Sequence, residues 1–558
     1  MISKEVFVKG AKRGGLGTMC LISLIQFSVL SAEITSSALS NLTVSNALTG
    51  RFNDTQSKKN ELNQNFKTIK IIVPCEKGDY LTGYIENSHP ITVDVINAKG
   101  DLSRRLIDNK NGKQDFYSVA KNCDEIWHIS GSGSYHIVLE NRISLKEQIP
   151  DDQSKILSPV ISSLNDELRK GQSTENFWKM IERTGTPLVE NTPNGTLMTF
   201  LARGSYKNVK LIGAPSNNHE SLQRLANSDT WYKSFIVPDN THLSYQIAPD
   251  VPQPPLTGFA RRVAIKAVAQ VDPYNHYPWS SSGFDKFSTK STITLEGAPK
   301  NPMIDSTEIK PKGTFSQFYF TSSTLANTRE ITIYSPLMTK KNKKDAVLLY
   351  IFDAQAYIEL VNLPTILDNL MAEGAIPPVI TVFISNPDRE ARARELPANS
   401  IFADVLANEL IPQIKQRLPM IIPKEKTVIA GSSYGGLAAT TIALRHPEIF
   451  GNVISMSGSF WWSPKAQTEN DKHFVASEVI AMDKKAVRLF LSAGLFENSR
   501  GVGDGILETN RHLRDVLLAK GYETHYQEYG AGHDYFSWRG VIADGLISLF
   551  ATNKLREK

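Results

Sequence analysis

The sequence has few cysteines, little excess charge of either sign and, beyond its N-terminal segment, no long hydrophobic run. Its 62 Lys and Arg residues nearly balance 57 Asp and Glu residues, so the formal net charge is +5. Five residues near the N-terminus contribute +3 of this charge, namely Lys4, Glu5, Lys9, Lys12 and Arg13. What is left is too little for a dedicated nucleic-acid-binding protein. With 41% hydrophobic and 21% charged residues, a mainly disordered chain is excluded as well.

The chain length predicts several folding units. At roughly 150 residues per domain, 558 residues correspond to about three or four domains. The sequence contains no internal repeat and no low-complexity array. No segment after the N-terminus reaches the ~20 consecutive apolar residues that a bilayer requires.

The N-terminus has the order of features typical of a secretory signal. Basic residues precede an apolar run at 19–30, and the small residues Ser31 and Ala32 follow it. The run is too short, and too interrupted by Ser and Gln, for a membrane span, although an uncleaved anchor is the alternative. We therefore predict a signal peptide at 1–32, a periplasmic or secreted protein, and no stable membrane insertion after cleavage.

Removal of that segment leaves two of the three cysteines, Cys75 and Cys123. Both lie in one β-patterned stretch, and cysteines of small exported domains commonly pair. A Cys75–Cys123 disulfide is therefore expected. Two free buried thiols are the alternative, because pairing geometry cannot be deduced from sequence.

The N-terminal half changes composition several times. Short alternating runs such as 92–96 and 135–139 are separated by Asn, Gly and Asp clusters, which is typical of small all-β domains. The predicted segments are a flexible leader at 33–67, a small all-β domain at 68–145, a linker at 146–170 and a second β domain at 171–295.

From about residue 312 the pattern predicts an α/β domain that extends to 556. Continuous apolar strands separated by helices indicate a mainly parallel sheet with helices on both faces. The chemistry of such sheets belongs at the carboxyl ends of the strands. The predicted strands are 331–334, 347–352, 379–384, 427–430, 453–456 and 487–491.

A G-x-S-x-G motif follows the fourth of these strands and opens a helix. Its small residues, Gly431 and Gly435, are expected because a Cβ on either side of the cramped strand-to-helix turn would clash. Ser433 is therefore the predicted nucleophile. A tight turn that uses glycine only for packing is the alternative.

A serine hydroxyl needs a base, and in this arrangement the chain order is Ser, acid, His. His533 and Glu497 each come just after a predicted strand and are the predicted base and acid for Ser433. Asp504 and Asp534 remain alternatives for the acid. Three other late histidines fit less well, with His473 in a polar loop, His512 in a charged helix and His525 inside a strand.

Acyl transfer also needs two backbone N–H groups that face the developing oxyanion. The amide of Tyr434, next to the nucleophile, is the first candidate. The amide of Gln355, in the turn after the second strand, is the other candidate, and an ordinary loop at that place is the alternative.

Several motifs together resemble the enterochelin esterases, ferric-siderophore hydrolases of the esterase D type. The resemblance covers roughly 170–556. The motifs that carry it are Phe177-Trp178, Gly185-Thr186-Pro187-Leu188-Val189-Glu190, Thr199-Phe200-Leu201, Asp229-Thr230-Trp231-Tyr232, Asp272-Pro273, Arg392-Ala393-Arg394-Glu395-Leu396, Ser457-Gly458-Ser459-Phe460-Trp461-Trp462-Ser463-Pro464, Gly532-His533-Asp534 and Trp538-Arg539.

The resemblance implies an α/β-hydrolase catalytic domain behind an N-terminal β-sandwich domain. It gives Ser433, His533 and Glu497 the roles already argued for them. It also implies that Arg392 contacts an anionic substrate, with an ion pair to Glu395 as the alternative. The same resemblance offers the faces of two tryptophans, Trp461 and Trp462, to catechol rings, with wall packing as the alternative.

Three features depart from the family pattern: Ala354 stands where a Gly follows the Asp, Ala531 replaces a Gly before the histidine, and the domain at 68–145 is additional. The expected function is a serine carboxylesterase that opens ester or lactone bonds of a siderophore, expected in its iron-loaded form, through an acyl-enzyme and without metal or organic cofactor. A general or carbohydrate esterase, for example on feruloylated or acetylated sugars, and a non-enzymatic binder of iron chelates are the alternatives.

Overall fold

The computed structural model describes residues 40–52, 58–59, 65–148, 156–193, 195–216, 218–253, 258–280, 284–299, 304, 313–340, 342–464, 473–499 and 504–552. All of them belong to the compact unit Leu39–Lys558. The predicted signal peptide at 1–32 lies outside the described residues. Within these ranges, no helix is both long enough and apolar enough to cross a membrane.

An eight-stranded sheet forms the first domain. Its strands are β1 Ser40–Asn41, β2 Leu48–Arg51, β3 Lys58–Lys59, β4 Asn65–Val73, β5 Tyr80–Ile96, β6 Leu102–Val119, β7 Glu125–Gly131 and β8 Ser134–Ile143. They lie in the order β1-β4-β7-β5-β8-β2, while β3 pairs with β4 and β6 with β5. Burial alternates residue by residue along β7, as a strand with one face in the core requires.

The predicted flexible leader at 33–67 is wrong for its described part. Strand β1 runs parallel to β4 and strand β2 runs antiparallel to β8. Two apolar side chains of this segment, Leu42 and Phe52, are buried in the core of the first domain. Backbone pairing and these two buried side chains hold a segment that is rich in Ser, Thr and Asn.

The predicted Cys75–Cys123 disulfide is absent, and both cysteines are free. Cys75 is 4% exposed and packs in the core of the first domain, whereas Cys123 is exposed to solvent. The Cys75 thiol donates to the carbonyl of Asn122 at 3.7 Å. Burial, the largest cause, raises the pKa of Cys75 to about 11. The two thiols therefore occupy opposite environments although their backbones are close, with the amide of Asp124 donating to the carbonyl of Cys75.

Helices and a second eight-stranded sheet form the next domain. The helices are α1 Pro159–Arg169, α2 Glu175–Thr184 and α3 Gly258–Lys266. The strands are β9 Leu188–Thr192, β10 Gly195–Arg203, β11 Val209–Ile212, β12 Glu220–Arg224, β13 Thr230–Val237, β14 His242–Pro249, β15 Pro278–Trp279 and β16 Lys290–Thr294, in the order β15-β16-β14-β11-β12-β13-β10-β9. The predicted linker at 146–170 contains α1, whose first turn is capped by the Ser158 hydroxyl.

The third sheet has the order β17-β18-β20-β19-β21-β22-β23-β24. Its strands are β17 Thr314–Ser322, β18 Asn327–Ser335, β19 Val347–Phe352, β20 Val379–Ile384, β21 Thr427–Ser432, β22 Asn452–Met456, β23 Arg488–Gly494 and β24 Thr524–Tyr529. All neighbours from β20 to β24 pair in parallel. Strand β18 pairs antiparallel with both β17 and β20. A short turn at 323–326 joins it to β17.

Helices cover both faces of this sheet. They are α4 Leu363–Ala372, α5 Arg389–Glu395, α6 Ser400–Val405, α7 Ile411–Arg417, α8 Tyr434–Arg445, α9 Phe474–Ala481, α10 Ile506–Ala519 and α11 Tyr535–Phe550. Helices α6, α8, α9 and α10 pack in the core on one face, and α4 and α11 pack in the core on the other. Short 3₁₀ segments at Leu145–Glu147, Lys343–Asp345 and Lys424–Lys426 and π-helical segments at Ala356–Leu360 and Leu406–Leu410 complete the described elements.

Candidate active site

Four polar residues follow four adjacent strands of the third sheet. Ser433 follows β21, Ser457 follows β22, Glu497 comes three residues after β23, and His533 follows β24. Because the carboxyl ends of parallel neighbours meet at one edge of a sheet, these side chains share one site.

Ser433 lies on a strained turn between β21 and α8. Its φ of 59° and ψ of −121° are unusual for a residue with a side chain, and its amide donates to the carbonyl of Met456 at 3.0 Å. A Cβ on Gly431 would lie 2.5 Å from the backbone of Gly435, so glycine is required at 431 as predicted. At Gly435 the prediction of a clash is wrong, because a Cβ there would meet Phe352 only at 3.5 Å, an ordinary contact distance.

The predicted base and the predicted acid form one hydrogen-bonded pair. Nδ1 of His533 lies 2.5 Å from Oε1 of Glu497, whose side chain is 1% exposed. The other carboxylate oxygen, Oε2, accepts from the Ser457 hydroxyl at 2.8 Å and from the Gly494 amide at 2.6 Å. Both oxygens of Glu497 are therefore engaged, which fixes the carboxylate and, through it, the orientation of the imidazole.

Two residues that the sequence argument did not assign to the site support this pair. The indole N–H of Trp538 donates to the Ser457 hydroxyl oxygen at 3.0 Å. The ring of Trp538 also meets the ring of His533 edge to face, with centroids 4.8 Å apart. Both residues stand in motifs that carry the family resemblance, but their contacts join segments that are far apart in the chain.

The Ser433 hydroxyl lies 3.3 Å from the Ser459 hydroxyl. Within the described ranges, this is the hydrogen bond that the Ser433 side chain makes. Since Nδ1 of His533 is held by Glu497, the nitrogen left to take the serine proton is Nε2. Hydrogen bonds between nucleophile and base are often long or misaligned without substrate and tighten when substrate binds.

The two alternative acids have other partners. Asp534 accepts from the Lys290 ammonium at 2.9 Å and from the Ser244 amide at 2.9 Å. Burial acts to raise the pKa of Asp534, but the charge of Lys290 and the hydrogen bonds outweigh it, and the pKa lies below its ordinary value. Asp504 lies 3.4 Å from His473. The geometry therefore favours Glu497 as the acid.

The second domain holds the loop that carries His533. The amide of His242 donates to the carbonyl of Gly530 at 2.8 Å. The imidazole of His242 stacks on the ring of Phe536, with centroids 4.1 Å apart. With the contacts of Asp534, these interactions attach both ends of the histidine loop to strands β14 and β16.

The two predicted oxyanion amides lie at the expected turns. Tyr434 is the first residue of α8, where backbone N–H groups have no partner within the helix. Gln355 follows Asp353, whose φ of 58° makes the sharp turn after β19. The Gln355 side chain is exposed and bonds to Glu359. The oxyanion role of the Gln355 amide stays a prediction.

Arg392 forms an ion pair, but its partner is not Glu395. Its Nε and one terminal nitrogen donate to the two carboxylate oxygens of Asp353 at 2.7 and 2.8 Å. Burial acts to lower the pKa of Arg392, and the bonds and charge of Asp353 outweigh it and raise the pKa above its usual value. Glu395 instead pairs with Arg329 at 2.6 Å, both side chains being buried. The predicted contact of Arg392 with substrate stays a prediction.

The two tryptophans have different surroundings. Trp461 is 45% exposed, and its ring lies 6.1 Å from the ring of Tyr434, which follows the nucleophile. Trp462 is half-buried and packs edge to face on Phe474 at 5.8 Å. Trp461 can therefore present a flat face beside the site, whereas Trp462 belongs to its wall.

No group of three or more His, Cys, Asp or Glu side chains within the described ranges could hold a metal ion. The chemistry that the arrangement supports is acyl transfer by a serine, with a histidine base oriented by a buried glutamate.

Two family models match the chain. A model described as the N-terminal domain of enterochelin esterase matches residues 197–304, and one described as a putative esterase matches residues 322–549. The first sheet, at 40–148, lies outside both matches.

Several curated proteins and solved structures are similar to the chain over about two thirds of its length. The iron(III) enterobactin esterase of Dickeya dadantii is 29% identical over 413 residues, which are 66% of this chain and 92% of that protein. The crystal structure of a ferric enterobactin esterase from Salmonella typhimurium is similar, with 25% identity, a TM-score of 0.56, and coverage of 67% of this chain and 98% of that one. A Shigella flexneri enterobactin esterase, solved in the presence of enterobactin, is 26% identical with a TM-score of 0.53, over 67% and 97% of the two chains.

Proposed function

We propose that the chain, which matches family models of the enterochelin esterase N-terminal domain and of a putative esterase, belongs to the enterochelin esterase family and hydrolyses ester or lactone bonds of a catecholate siderophore such as enterobactin. The observation that carries the proposal is the buried Glu497, which holds His533 beside the strained turn of Ser433. The sheet order and the helices on both faces support an α/β-hydrolase fold for the catalytic domain.

In the proposed mechanism each residue has one role. Ser433 Oγ attacks the ester carbonyl carbon while Nε2 of His533 takes the hydroxyl proton, and the amide of Tyr434 donates to the resulting oxyanion. Collapse breaks the bond between the carbonyl carbon and the alkoxy oxygen, and His533 gives its proton to the departing alcohol. Water then attacks the acyl-serine with His533 as base, which releases the carboxylic acid and restores Ser433. Throughout, Glu497 stabilises the imidazolium and its orientation.

Two features beside the triad suit an iron-loaded catecholate. The exposed ring of Trp461 offers an apolar face on which a catechol can stack. The guanidinium of Arg392 keeps one terminal nitrogen beyond the two that bind Asp353, and a charged donor suits the oxygen atoms of an anionic chelate. The side chain of Arg392 is 29% exposed, so it remains accessible.

The test compares three substrates with the purified protein. Enterobactin with iron, enterobactin without iron and ethyl ferulate are incubated at equal concentration, and mass spectrometry identifies the acids released. We expect the wild type to release the linear form of enterobactin and its N-acylated serine monomers. The Ser433→Ala variant should release neither. Turnover of ethyl ferulate at a much higher kcat/KM than either form of enterobactin would overturn the proposal in favour of a carbohydrate-linked esterase.

A pair of variants tests the catechol platform. Trp461→Ala should raise KM for enterobactin several-fold and leave turnover of p-nitrophenyl butyrate within about a factor of three, since a small ester does not need the platform. Trp462→Ala serves as the matched control, because loss of its packing on Phe474 should lower Tm without that substrate difference. Equal KM changes in both variants would contradict the assignment.

We further propose that hydrolysis takes place in the periplasm or outside the cell, after removal of the signal at 1–32. The basic start, the apolar run and the small residues Ser31 and Ala32 support this. Cell fractionation with N-terminal sequencing of the native protein tests it. A protein that begins at Met1 and remains in the cytoplasmic fraction would contradict it.

A further inference from the structure

A cavity of about 710 Å³ lies between the first and second domains and shares no lining residue with the triad. Arg104 and Lys121 line it from the first domain, and Lys286 and Phe287 line it from the second. Apolar side chains such as Val119 and Val251 complete the wall. Its size lies within the range of roughly 300–1,000 Å³ that is typical of small-molecule sites.

Arg104 is a buried cation without a carboxylate partner among the described residues. Its side chain is 8% exposed, and one terminal nitrogen donates to the carbonyl of Ala267. The guanidinium carbon lies 4.3 Å from the centroid of the Phe287 ring. Burial lowers the pKa of Arg104, which reflects the unfavourable free energy of a charge removed from water.

The carboxylates nearest to Arg104 are engaged with other donors. Glu125 accepts from the amide of Lys121 at 2.9 Å and from the indole of Trp127 at 3.2 Å. Asp285 accepts from the amides of Arg105 at 3.0 Å and Phe287 at 2.9 Å. Both carboxylates attract the Arg104 guanidinium through space, but neither forms an ion pair with it within the described ranges. Two carboxylate residues, Glu125 and Asp250, also line the cavity.

Two lysines add to the positive charge at the mouth. The ammonium groups of Lys121 and Lys286 lie 4.8 and 5.3 Å from the centroid of Phe287, and neither forms an ion pair within the described part of the chain. Burial, followed by the charge of Lys286, lowers the pKa of Lys121 to about 8. Three cations thus converge on one aromatic ring and repel one another.

We infer that this cavity binds a small aromatic carboxylate. The carboxylate would lie between the Arg104 guanidinium, whose planar donors match its two oxygens, and the two ammonium groups. The aromatic part would lie against Phe287 and the apolar wall. An anion in this place relieves the repulsion among the three cations and forms the direct ion pair with Arg104 that Glu125 and Asp285 do not form.

This class includes the benzoyl amino acids that a siderophore esterase releases, and that link rests on the proposed function. The binding test below does not depend on it, because it uses benzoate and no turnover. Failure of benzoate to bind would leave the esterase proposal untouched, and failure of esterase turnover would leave the cavity proposal untouched.

Isothermal titration calorimetry of benzoate into the full-length protein tests the site at fixed, low ionic strength. The double variant Lys121→Gln/Lys286→Gln removes the two exposed cations and leaves Arg104 in its buried place. We expect it to weaken benzoate binding at least tenfold, because it loses two charge-assisted contacts. The control, Lys70→Gln/Lys99→Gln, makes the same charge change on exposed lysines elsewhere in the first domain and should bind like the wild type.

Three results would overturn the inference. The first is an equal loss of affinity in both double variants, which indicates a nonspecific charge effect. The second is acetate or inorganic phosphate binding as tightly as benzoate, which removes the aromatic part of the assignment. The third is loss of benzoate binding when Ser433 has been blocked with phenylmethylsulfonyl fluoride, which places benzoate in the active site. An unchanged Tm and far-ultraviolet circular dichroism spectrum of Lys121→Gln/Lys286→Gln is the folding control.

Discussion

Replacement of Glu497 by Gln should disable the histidine through its tautomer. In the protein, Oε2 of Glu497 accepts two donors, the Ser457 hydroxyl and the Gly494 amide. The backbone N–H of Gly494 cannot reverse its role, so the amide oxygen of Gln must take the position of Oε2. The amide nitrogen then faces Nδ1 of His533, which must lose its proton to accept from it. The proton moves to Nε2, and the base for Ser433 is lost.

The expected loss in kcat is on the order of 10⁴-fold, as found when the acid of a serine triad is replaced by its amide. The shape of the side chain is conserved, so the fold should persist and Tm should change little. Steady-state hydrolysis of p-nitrophenyl butyrate measures the loss. Asp504→Asn is the matched control, since that carboxylate is half-exposed and pairs with His473, and it should change kcat by less than about threefold.

Retention of more than a tenth of the wild-type kcat in Glu497→Gln would refute the tautomer argument. The same conclusion would follow if Asp504→Asn were the crippling change. If Glu497→Gln loses both activity and Tm, Glu497→Asp serves as the comparison, because it keeps the charge but shortens the side chain. A normal Tm with low activity in Glu497→Asp would still support the role of Glu497 in orienting the histidine.

Three further outcomes follow from the site. Ser433→Ala should abolish ester turnover, by ~10⁴-fold or more, with Tm nearly unchanged, and residual activity near the wild-type value would contradict the assignment of the nucleophile. Arg392→Ala removes the ion-pair partner of the buried Asp353 and leaves it only the hydrogen bond from Asn386, in the turn that carries the predicted oxyanion amide of Gln355. We expect kcat to fall about tenfold on neutral and ferric substrates alike, and KM to rise in addition on the ferric substrate alone. An unchanged kcat on the neutral ester would show that the ion pair does not brace the turn. The pKa of Asp534 is below its ordinary value in the folded state, so the stabilisation from its ion pair is present at neutral pH and is lost as pH falls through the folded pKa. Asp534→Asn should therefore lower the free energy of unfolding by about 2 kcal/mol at pH 7 and by less near pH 3. An equal difference at both pH values would contradict the ion pair with Lys290.

The sequence predicted best those strands that are buried on both faces, because burial restricts such strands to apolar residues. The apolar runs at 347–352 and 379–384 coincide with β19 and β20, because strands buried on both faces tolerate few polar residues. Strands β1 and β2 were missed because they stand in a Ser- and Thr-rich segment, where backbone pairing with distant strands decides the structure. No local pattern records such pairing.

The triad was accessible to sequence reasoning because chain order and strand ends constrain it. Ser433, Glu497 and His533 each follow a strand that could be recognised, and the geometry favours Glu497 over Asp534. The partner of Arg392 was not accessible, since Asp353 lies 39 residues away and any of several carboxylates could have met it. The same holds for the two cysteines, which lie outside the strands and whose opposite exposure depends on how their loops pack against the first domain.

The attachment of the histidine loop to the second domain makes catalysis a property of two domains. Strands β14 and β16 hold Gly530 and Asp534 on either side of His533. Any ligand, partner or substitution that loosens this domain contact therefore reduces the population of enzymes with a correctly oriented imidazole, even at a distance from the substrate. The turnover rate of a small ester therefore reports how much of the protein has the second domain packed against the histidine loop. An isolated catalytic domain should be folded yet sluggish, and adding back the second domain as a separate chain should restore its rate in proportion to the fraction bound.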